Sequence, residues 1–206
     1  MSKIQIPGRP VEEILQASPD VQRYIRKLER DTMTDPLTHL GNRRAFELYA
    51  NELLPLLPVD EHDRRKPGLR DLGLMIADVN GFKPVNDLLG HSAGDIMLKK
   101  AADAMRKGAR RGADRACRIG GDELALLLPN ADGALPGIVD LVQLYFLERV
   151  AKERKTVPDL DLAIGFVVIE RYVPFKEFYD AADASMYSNK KAMAGSEYHG
   201  RRTHAR

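Results

Sequence analysis

Carboxylates stand at two places where an apolar run breaks off. Asp78 lies near the end of Leu72–Val79 and is followed by Asn80-Gly81-Phe82-Lys83. Asp122 and Glu123 follow the pair Gly120-Gly121 and open the next apolar run, which extends to Pro129. Carboxylate oxygens are hard ligands that suit Mg²⁺ or Mn²⁺, ions that keep several waters and bridge to substrate phosphates. Two such ions about 3.5–4 Å apart can clamp the attacking and leaving oxygens of a phosphoryl displacement. Gly120 and Gly121 are expected to supply positive φ in a tight turn. Gly81 is expected to let backbone amides approach a phosphate, with Lys83 as a point charge beside it. A plainer reading competes, because Asp and Gly are ordinary turn formers.

A second group follows in Asn86-Asp87-Leu88-Leu89-Gly90-His91-Ser92-Ala93-Gly94-Asp95. An amide side chain both donates and accepts, and a carboxylate accepts two parallel N–H bonds. Asn86 with Asp95 can therefore read a guanine edge, whose ring N–H and amino group form a donor pair that adenine lacks. The plainer alternative makes Asn86 the end of a short helix and Asp95 the cap of the next. Further on, Lys99, Lys100, Arg106, Lys107, Arg110, Arg111, Arg115 and Arg118 face only Asp103 and Asp114. Such a stretch is either a solvated face or a contact for phosphates, and no aromatic residue interleaves it as single-strand stacking would need. The five histidines are scattered, and Cys117 reads as a buried strand residue.

These residues need a frame. The apolar runs Leu72–Val79, Ala116–Ile119, Glu123–Pro129 and Leu160–Ile169 read as strands, with Gly120-Gly121 marking a hairpin between the second and third. Helical spacing covers Asn42–Leu57, Ala93–Arg111, Leu135–Lys155 and Phe175–Met193. The order is that of an α/β protein with a β-α-β-β-α-β core, a ferredoxin-like palm whose central antiparallel hairpin is flanked by helices. Ahead of it lie a short helix at Val11–Gln16, a cap at Ser18 before Pro19, and an amphipathic arm from Asp20 to Thr34. The arm either packs on its own domain or pairs two chains as a short coil. The expected organisation is a lead-in and linker helix over 1–34, a catalytic domain over 35–195 and a polar tail over 196–206.

Length and charge narrow the classes. The 206 residues suit one domain at about 150 residues each. Lys plus Arg is 32 against 30 for Asp plus Glu, a net charge of +2 that argues against a histone-like or arginine-rich nucleic-acid binder, so no DNA partner is expected. One cysteine excludes an internal disulfide and a cysteine-rich zinc site, and points to a reducing, cytoplasmic compartment. No apolar run approaches the roughly 20 residues of a membrane helix, and no signal-peptide core begins the chain.

At the hairpin the residues resemble a known family. Gly120-Gly121-Asp122-Glu123-Leu124 is similar to the signature of GGDEF-domain diguanylate cyclases. Asp35-Pro36-Leu37-Thr38-His39-Leu40-Gly41-Asn42-Arg43 resembles the family's opening D-x-L-T-x-L-x-N-R. The stretch from Asp78 to Asp87 resembles its D-x-D-x-F-K-x-x-N-D, Gly90-His91 with Gly94-Asp95 its G-H-x-x-G-D, and Ala182–Tyr187 its closing A-D-x-A-L-Y. The matches run in the family's order from residue 35 to 190.

The resemblance implies condensation of two GTP into cyclic di-GMP and two pyrophosphates, by two domains facing each other as a homodimer. It implies two Mg²⁺ or Mn²⁺ per site on Asp78 and Asp122, helped by the Val79 carbonyl, with Glu123 as a further ligand or as the base for the 3′-hydroxyl. It assigns guanine to Asn86 and Asp95, and phosphates to Lys83, Lys190 and the backbone around Gly81, Phe82, Gly120 and Gly121. Arg111-Gly112-Ala113-Asp114, in register with the hairpin, resembles the family's inhibitory R-x-x-D site: Arg111 would grip product phosphate and Asp114 would accept guanine N–H bonds.

Three positions depart from the pattern. Leu124 replaces Phe, Asn80 replaces the second Asp, and Ala194 stands where the family's closing K-x-x-G-R-N places Arg, with Lys191 as a possible substitute. An alternative is therefore a weak or inactive domain that binds cyclic di-GMP or GTP and signals to a partner. A palm-type cyclase or polymerase of another kind is a third reading, disfavoured by the guanine pair and the R-x-x-D. Residues 1–34 hold no recognisable sensor, so either a sensory part is missing from this chain or the cyclase is free-standing.

Overall fold

The computed structural model describes residues 19–23, 32–60, 68–157 and 159–200, with side chains to residue 191. The chain divides into two compact units, Met1–Thr34 and Asp35–Arg206. In the first, residues 19–23 are helical. The helix expected at Val11–Gln16, the Ser18 cap and most of the Asp20–Thr34 arm lie outside the described residues.

The second unit carries the sheet. Its strands are β1 (Leu72–Asn80), β2 (Arg115–Arg118), β3 (Glu123–Pro129) and β4 (Asp161–Ile169), in the order β2-β3-β1-β4, every pair antiparallel. This is the β-α-β-β-α-β palm that the apolar runs predict. β1 lies at the centre between β3 and β4 and is buried on both faces, which is why it reads as a continuous apolar run without alternation.

The helices are α1 (Arg43–Leu53), α2 (Phe82–Leu89), α3 (His91–Gly108), α4 (Leu135–Val150) and α5 (Phe175–Gly200). Their ends differ from the sequence reading for local reasons. α1 starts one residue late because Asn42 caps it, its side chain accepting from Ala45 N, and it passes into a 3₁₀ turn at Leu54–Leu56 where Pro55 falls. Between β1 and β2 stand two helices where the spacing suggested one, separated by Gly90 at φ +84°. α3 then starts at His91, so Asp95 sits inside the helix and does not cap it. α5 runs on to Gly200, past the expected end at Met193. No helix among the described residues is long and apolar enough to cross a membrane.

Alternation along the strands sorts the core into two layers. Met75, Ala77, Val79, Leu124, Leu126 and Leu162 face α3 and α4. Leu74, Ile76, Ala125, Leu127 and Ala163 face α1 and α5, against Phe46, Ala50, Phe178, Ala182 and Met186. Leu124, the residue in place of the signature Phe, is fully buried in the first layer. Cys117 is buried as expected, and burial pushes its thiol up to about 12.

Candidate active site

The register of the central strands decides which carboxylates meet. Asp78 on β1 lies opposite Glu123 on β3, and Val79 N donates to the Asp122 carbonyl at 3.3 Å. Residues directly opposite on antiparallel strands project to the same face. Asp78 and Glu123 therefore share the α1/α5 face, while the Val79 side chain is buried on the other, leaving only its backbone for the site. Burial pushes the Asp122 carboxyl above its ordinary value, and Asp78 pushes it further. Burial does the same to Glu123, joined by Asp78, Asp122 and Asp183. Asp183, on α5, was part of a matched motif but had no expected role.

The hairpin tip differs from expectation. Neither Gly120 nor Gly121 has positive φ; among the described residues the glycines that do are Gly81, Gly90, Gly112 and Gly133. Ile119 N and Gly120 N both donate to the Glu123 carbonyl, at 2.9 and 3.3 Å, so the turn closes without a left-handed residue. What Gly120 provides is room: a Cβ there would lie 2.2 Å from Glu123 Oε2. At Gly121 a Cβ would meet nothing within 4 Å, and its carbonyl accepts from Arg118 Nη2 at 2.6 Å.

Arg118 ties this tip to the opening motif. Its Nη1 also reaches Asp35 Oδ2 at 3.2 Å, and Asp35 Oδ1 accepts from Thr38 N at 2.8 Å and Thr38 Oγ1 at 2.6 Å. Burial would raise the Asp35 carboxyl, but the Thr38 bonds and Arg118 outweigh it and hold it below its ordinary value. The D-x-L-T turn is thus a built seat for the arginine that braces the hairpin.

A cation already sits beside these carboxylates. Lys190 Nζ lies 2.6 Å from Asp78 Oδ1. α5 is held there by close packing on β4: a Cβ on Gly165 would fall 2.0 Å from Met186 N, and Asn189 Nδ2 donates to the Ile164 carbonyl at 2.7 Å. Met186 faces the sheet, and one helical turn on, Lys190 reaches the strand end. Among the described residues no three His, Cys, Asp or Glu side chains form a ready metal cage. A hard dication needs none, since one or two carboxylates with waters and substrate phosphates suffice. The residues fit such an ion: Asp78 already attracts a positive charge, and the crowding at Asp122 and Glu123 is relieved by one.

Gly81, at φ +75°, turns the chain from β1 into α2 and leaves the first amides of that helix unpaired within it, at Phe82 and the exposed Lys83. Asn86 and Asp95 come from α2 and α3, which Gly90 joins; Gly90 N donates to the Asn86 carbonyl at 3.0 Å. Asp95 is exposed and Asn86 half-buried.

The R-x-x-D segment is arranged differently from the expectation. The Asp114 side chain is wholly buried and bound by Arg110, with Arg110 N at 2.7 Å and Nη2 at 2.7 Å. Arg111 is exposed beside Gly112, whose φ is +83°. In this conformation Asp114 shapes the turn and offers no carboxylate outward. The basic stretch is likewise largely committed: Lys100 to Glu153, Arg106 to Asp103, Arg110 to Asp114, Arg118 to Asp35, and Arg115 over the Tyr49 ring. Lys191 lies 4.4 Å over the Tyr187 ring, and the Ala194 side chain is outside the described residues. A cavity of about 310 Å³ between α1 and α5, lined by Arg43, Phe46, Ile119, Phe175 and Tyr179, contains none of the expected site residues.

With this geometry in view, residues 32–196 match the family described as "Diguanylate cyclase, GGDEF domain". Diguanylate cyclase TpbB of Pseudomonas aeruginosa is 33% identical over 166 residues, covering 79% of this chain and 36% of that protein. Diguanylate cyclase DgcS of Shewanella oneidensis is 28% identical and covers 86% of this chain and 55% of that protein. This chain thus spans only about a third to a half of these relatives. Among solved structures, the coiled coil and GGDEF domain of DgcB from Caulobacter crescentus in complex with c-di-GMP aligns with TM-score 0.69 at 22% identity, over 88% of this chain and 94% of that one. The GGDEF domain of TpbB aligns with TM-score 0.59 at 30% identity, over 77% and 89%. The strand-end carboxylates, the hairpin between β2 and β3 and the family match agree, and this chain belongs to the GGDEF-domain family.

Proposed function

We propose that this chain is a diguanylate cyclase, joining two GTP into cyclic di-GMP with release of two pyrophosphates, one GTP held by each of two facing copies. The observation that carries the reading is the register pairing of Asp78 with Glu123, which brings Asp122 and Glu123 beside Asp78 at the partly exposed end of the buried central strand. Asp78, Asp122 and the Val79 carbonyl are the groups that would hold Mg²⁺ or Mn²⁺. Bound there, the metal supplies charge neutralisation at the reacting phosphate.

The chain's own residues do the rest. The first amides of α2 and Lys83 bind phosphate oxygens, Asn86 and Asp95 hold the guanine, and Lys190 leaves Asp78 for the triphosphate. Glu123 stands where it either completes the metal shell or accepts the proton of the 3′-hydroxyl. Glu123→Gln separates the two through its metal dependence: a lost ligand raises the Mg²⁺ needed for product and is offset by more of it, whereas a lost base lowers product at saturating metal. The commitment of the basic stretch to internal partners favours nucleotide over DNA as the ligand. Arg111 is the accessible contact for an inhibitory cyclic di-GMP, with Asp114 holding its turn.

Incubation with GTP and Mg²⁺ followed by chromatography tests this. Cyclic di-GMP is expected from the wild type, with a loss of about 10²–10³-fold or more in Asp122→Ala. Undiminished product from that variant, or none from the wild type, overturns the reading. In the latter case the binding-only alternative, which Ala194 and the engagement of Lys191 with Tyr187 favour, predicts retained cyclic di-GMP binding.

A further inference from the structure

Gly94 carries no side chain at a point where none fits. It is buried in the first turns of α3, and a Cβ there would lie 2.0 Å from Asn86 Oδ1, 3.0 Å from Asn86 Cγ and 3.2 Å from Phe82 Cε2. The Asn86 amide thus rests directly on the α3 backbone, next to the residue that bears the Asp95 carboxylate. Inside a helix, Gly is less favourable than Ala, and Gly94 has no positive φ to justify it. The space it leaves is filled by one polar group, the Asn86 amide, with the edge of the Phe82 ring beside it.

We infer that Gly94 is a specificity-determining positioning residue: its missing Cβ seats the Asn86 amide against α3 beside Asp95, setting the spacing at which the two side chains read one purine edge. The inference rests on the assignment of Asn86 and Asp95 to guanine. A base-reading pair works only when both groups meet the same edge. A site built to hydrogen-bond a donor pair discriminates strongly only while its own groups are held for that geometry. A methyl at position 94 forces Asn86 off its seat without touching Asp95. The result is a mismatched pair in a folded helix, since Ala is the better helix former.

Binding of 3′-deoxy-GTP and 3′-deoxy-ATP to the full chain, by calorimetry with Mg²⁺ present, tests this; neither nucleotide has the hydroxyl needed for condensation. Gly94→Ala is expected to weaken 3′-deoxy-GTP about tenfold or more, the scale of one displaced hydrogen bond, and to narrow its preference over 3′-deoxy-ATP. Its melting temperature should be unchanged or higher. Added to Asn86→Ala, the same change should have no further effect, and Asn86→Ser, which shortens the side chain, should restore part of the preference in Gly94→Ala. If Asn86→Ala itself binds 3′-deoxy-GTP like the wild type, the guanine assignment fails. If Asn86→Ala weakens binding while Gly94→Ala does not, or if the Gly94→Ala loss persists undiminished on top of Asn86→Ala, the positioning role is overturned.

Discussion

Two acidic centres flank the same hairpin, and the fold treats them in opposite ways. Asp35 is fully provided for, with two hydrogen bonds from Thr38 and an ion pair from Arg118 that hold its carboxyl below its ordinary value. Asp78, Asp122 and Glu123 are crowded together; Lys190 with Arg118 at Asp122, and Arg43 at Glu123, only partly offset burial and mutual repulsion, and Asp122 and Glu123 lie above theirs. The first is a structural carboxylate whose energy is spent on fixing the hairpin. The second is an electrostatic fault kept open, and a fault of this sign at the end of a buried strand is a place for a cation to enter.

The contrast can be broken in order of size. Asp35→Ala leaves Thr38 and Arg118 without their acceptor. It should cost about 1–3 kcal/mol, a melting temperature lower by roughly 2–4 °C per kcal/mol for a chain of this size, and should loosen the Gly121 contact. A thermal midpoint equal to the wild type would show that the turn is not a brace.

Asp122→Asn should do the reverse. In chelator-containing buffer at neutral pH it should stabilise the chain by a few tenths to about 1 kcal/mol, since partly exposed charges are screened. The two centres also respond to acid with opposite sign. The stability from Asp35 is complete above its unfolded pKa and is lost as pH falls through its lower folded one. The cost imposed by Asp122 and Glu123 is present near neutrality and fades as pH falls through their raised folded values. The gain from Asp122→Asn should therefore shrink on acidification, as followed by denaturant midpoints across pH. A gain independent of pH would mean that charge is not its source.

The smallest effect is at Lys190, which is nearly half exposed. Lys190→Ala should lower the metal-free stability by no more than about 1 kcal/mol. Mg²⁺ should then raise the midpoint of this variant more than that of the wild type, because no ammonium has to be displaced from Asp78. An equal rise in both would remove Lys190 from the metal side of the site.

Much of this was legible in order along the chain. The unbroken apolar run Leu72–Val79 announced a central strand, Gly120-Gly121 between apolar runs announced the hairpin, and the motif residues included the carboxylates that the β1–β3 register brings together. Local signals also misled. The glycine pair suggested positive φ, where the structure uses Gly120 for clearance, because turn type depends on how Glu123 folds back over it. The alternative that made Asp95 a helix cap placed the break between the two helices too late, because the apolar spacing does not locate it at Gly90. The basic stretch left a solvated face and a phosphate contact both open, because two of its partners, Glu153 for Lys100 and Asp35 for Arg118, are far away in the chain.

By itself, then, the sequence determined the elements, their order and the chemical types that could gather: carboxylates at strand ends, an amide and a carboxylate a short way apart along the chain, and an arginine with an aspartate in the R-x-x-D segment. These depend on side-chain period and on turn chemistry, which act over a few residues. Only the tertiary structure decided the pairings. Asp78 meets Glu123 because of the β1–β3 register, and Lys190 meets Asp78 because Gly165 lets α5 lie directly on β4. Asp114 turns inward because Arg110 captures it, and the Asn86 amide lies against the α3 backbone because Gly94 has no Cβ. Each is a contact whose energy depends on distances of a few ångströms, set by packing and register that no local stretch of sequence contains.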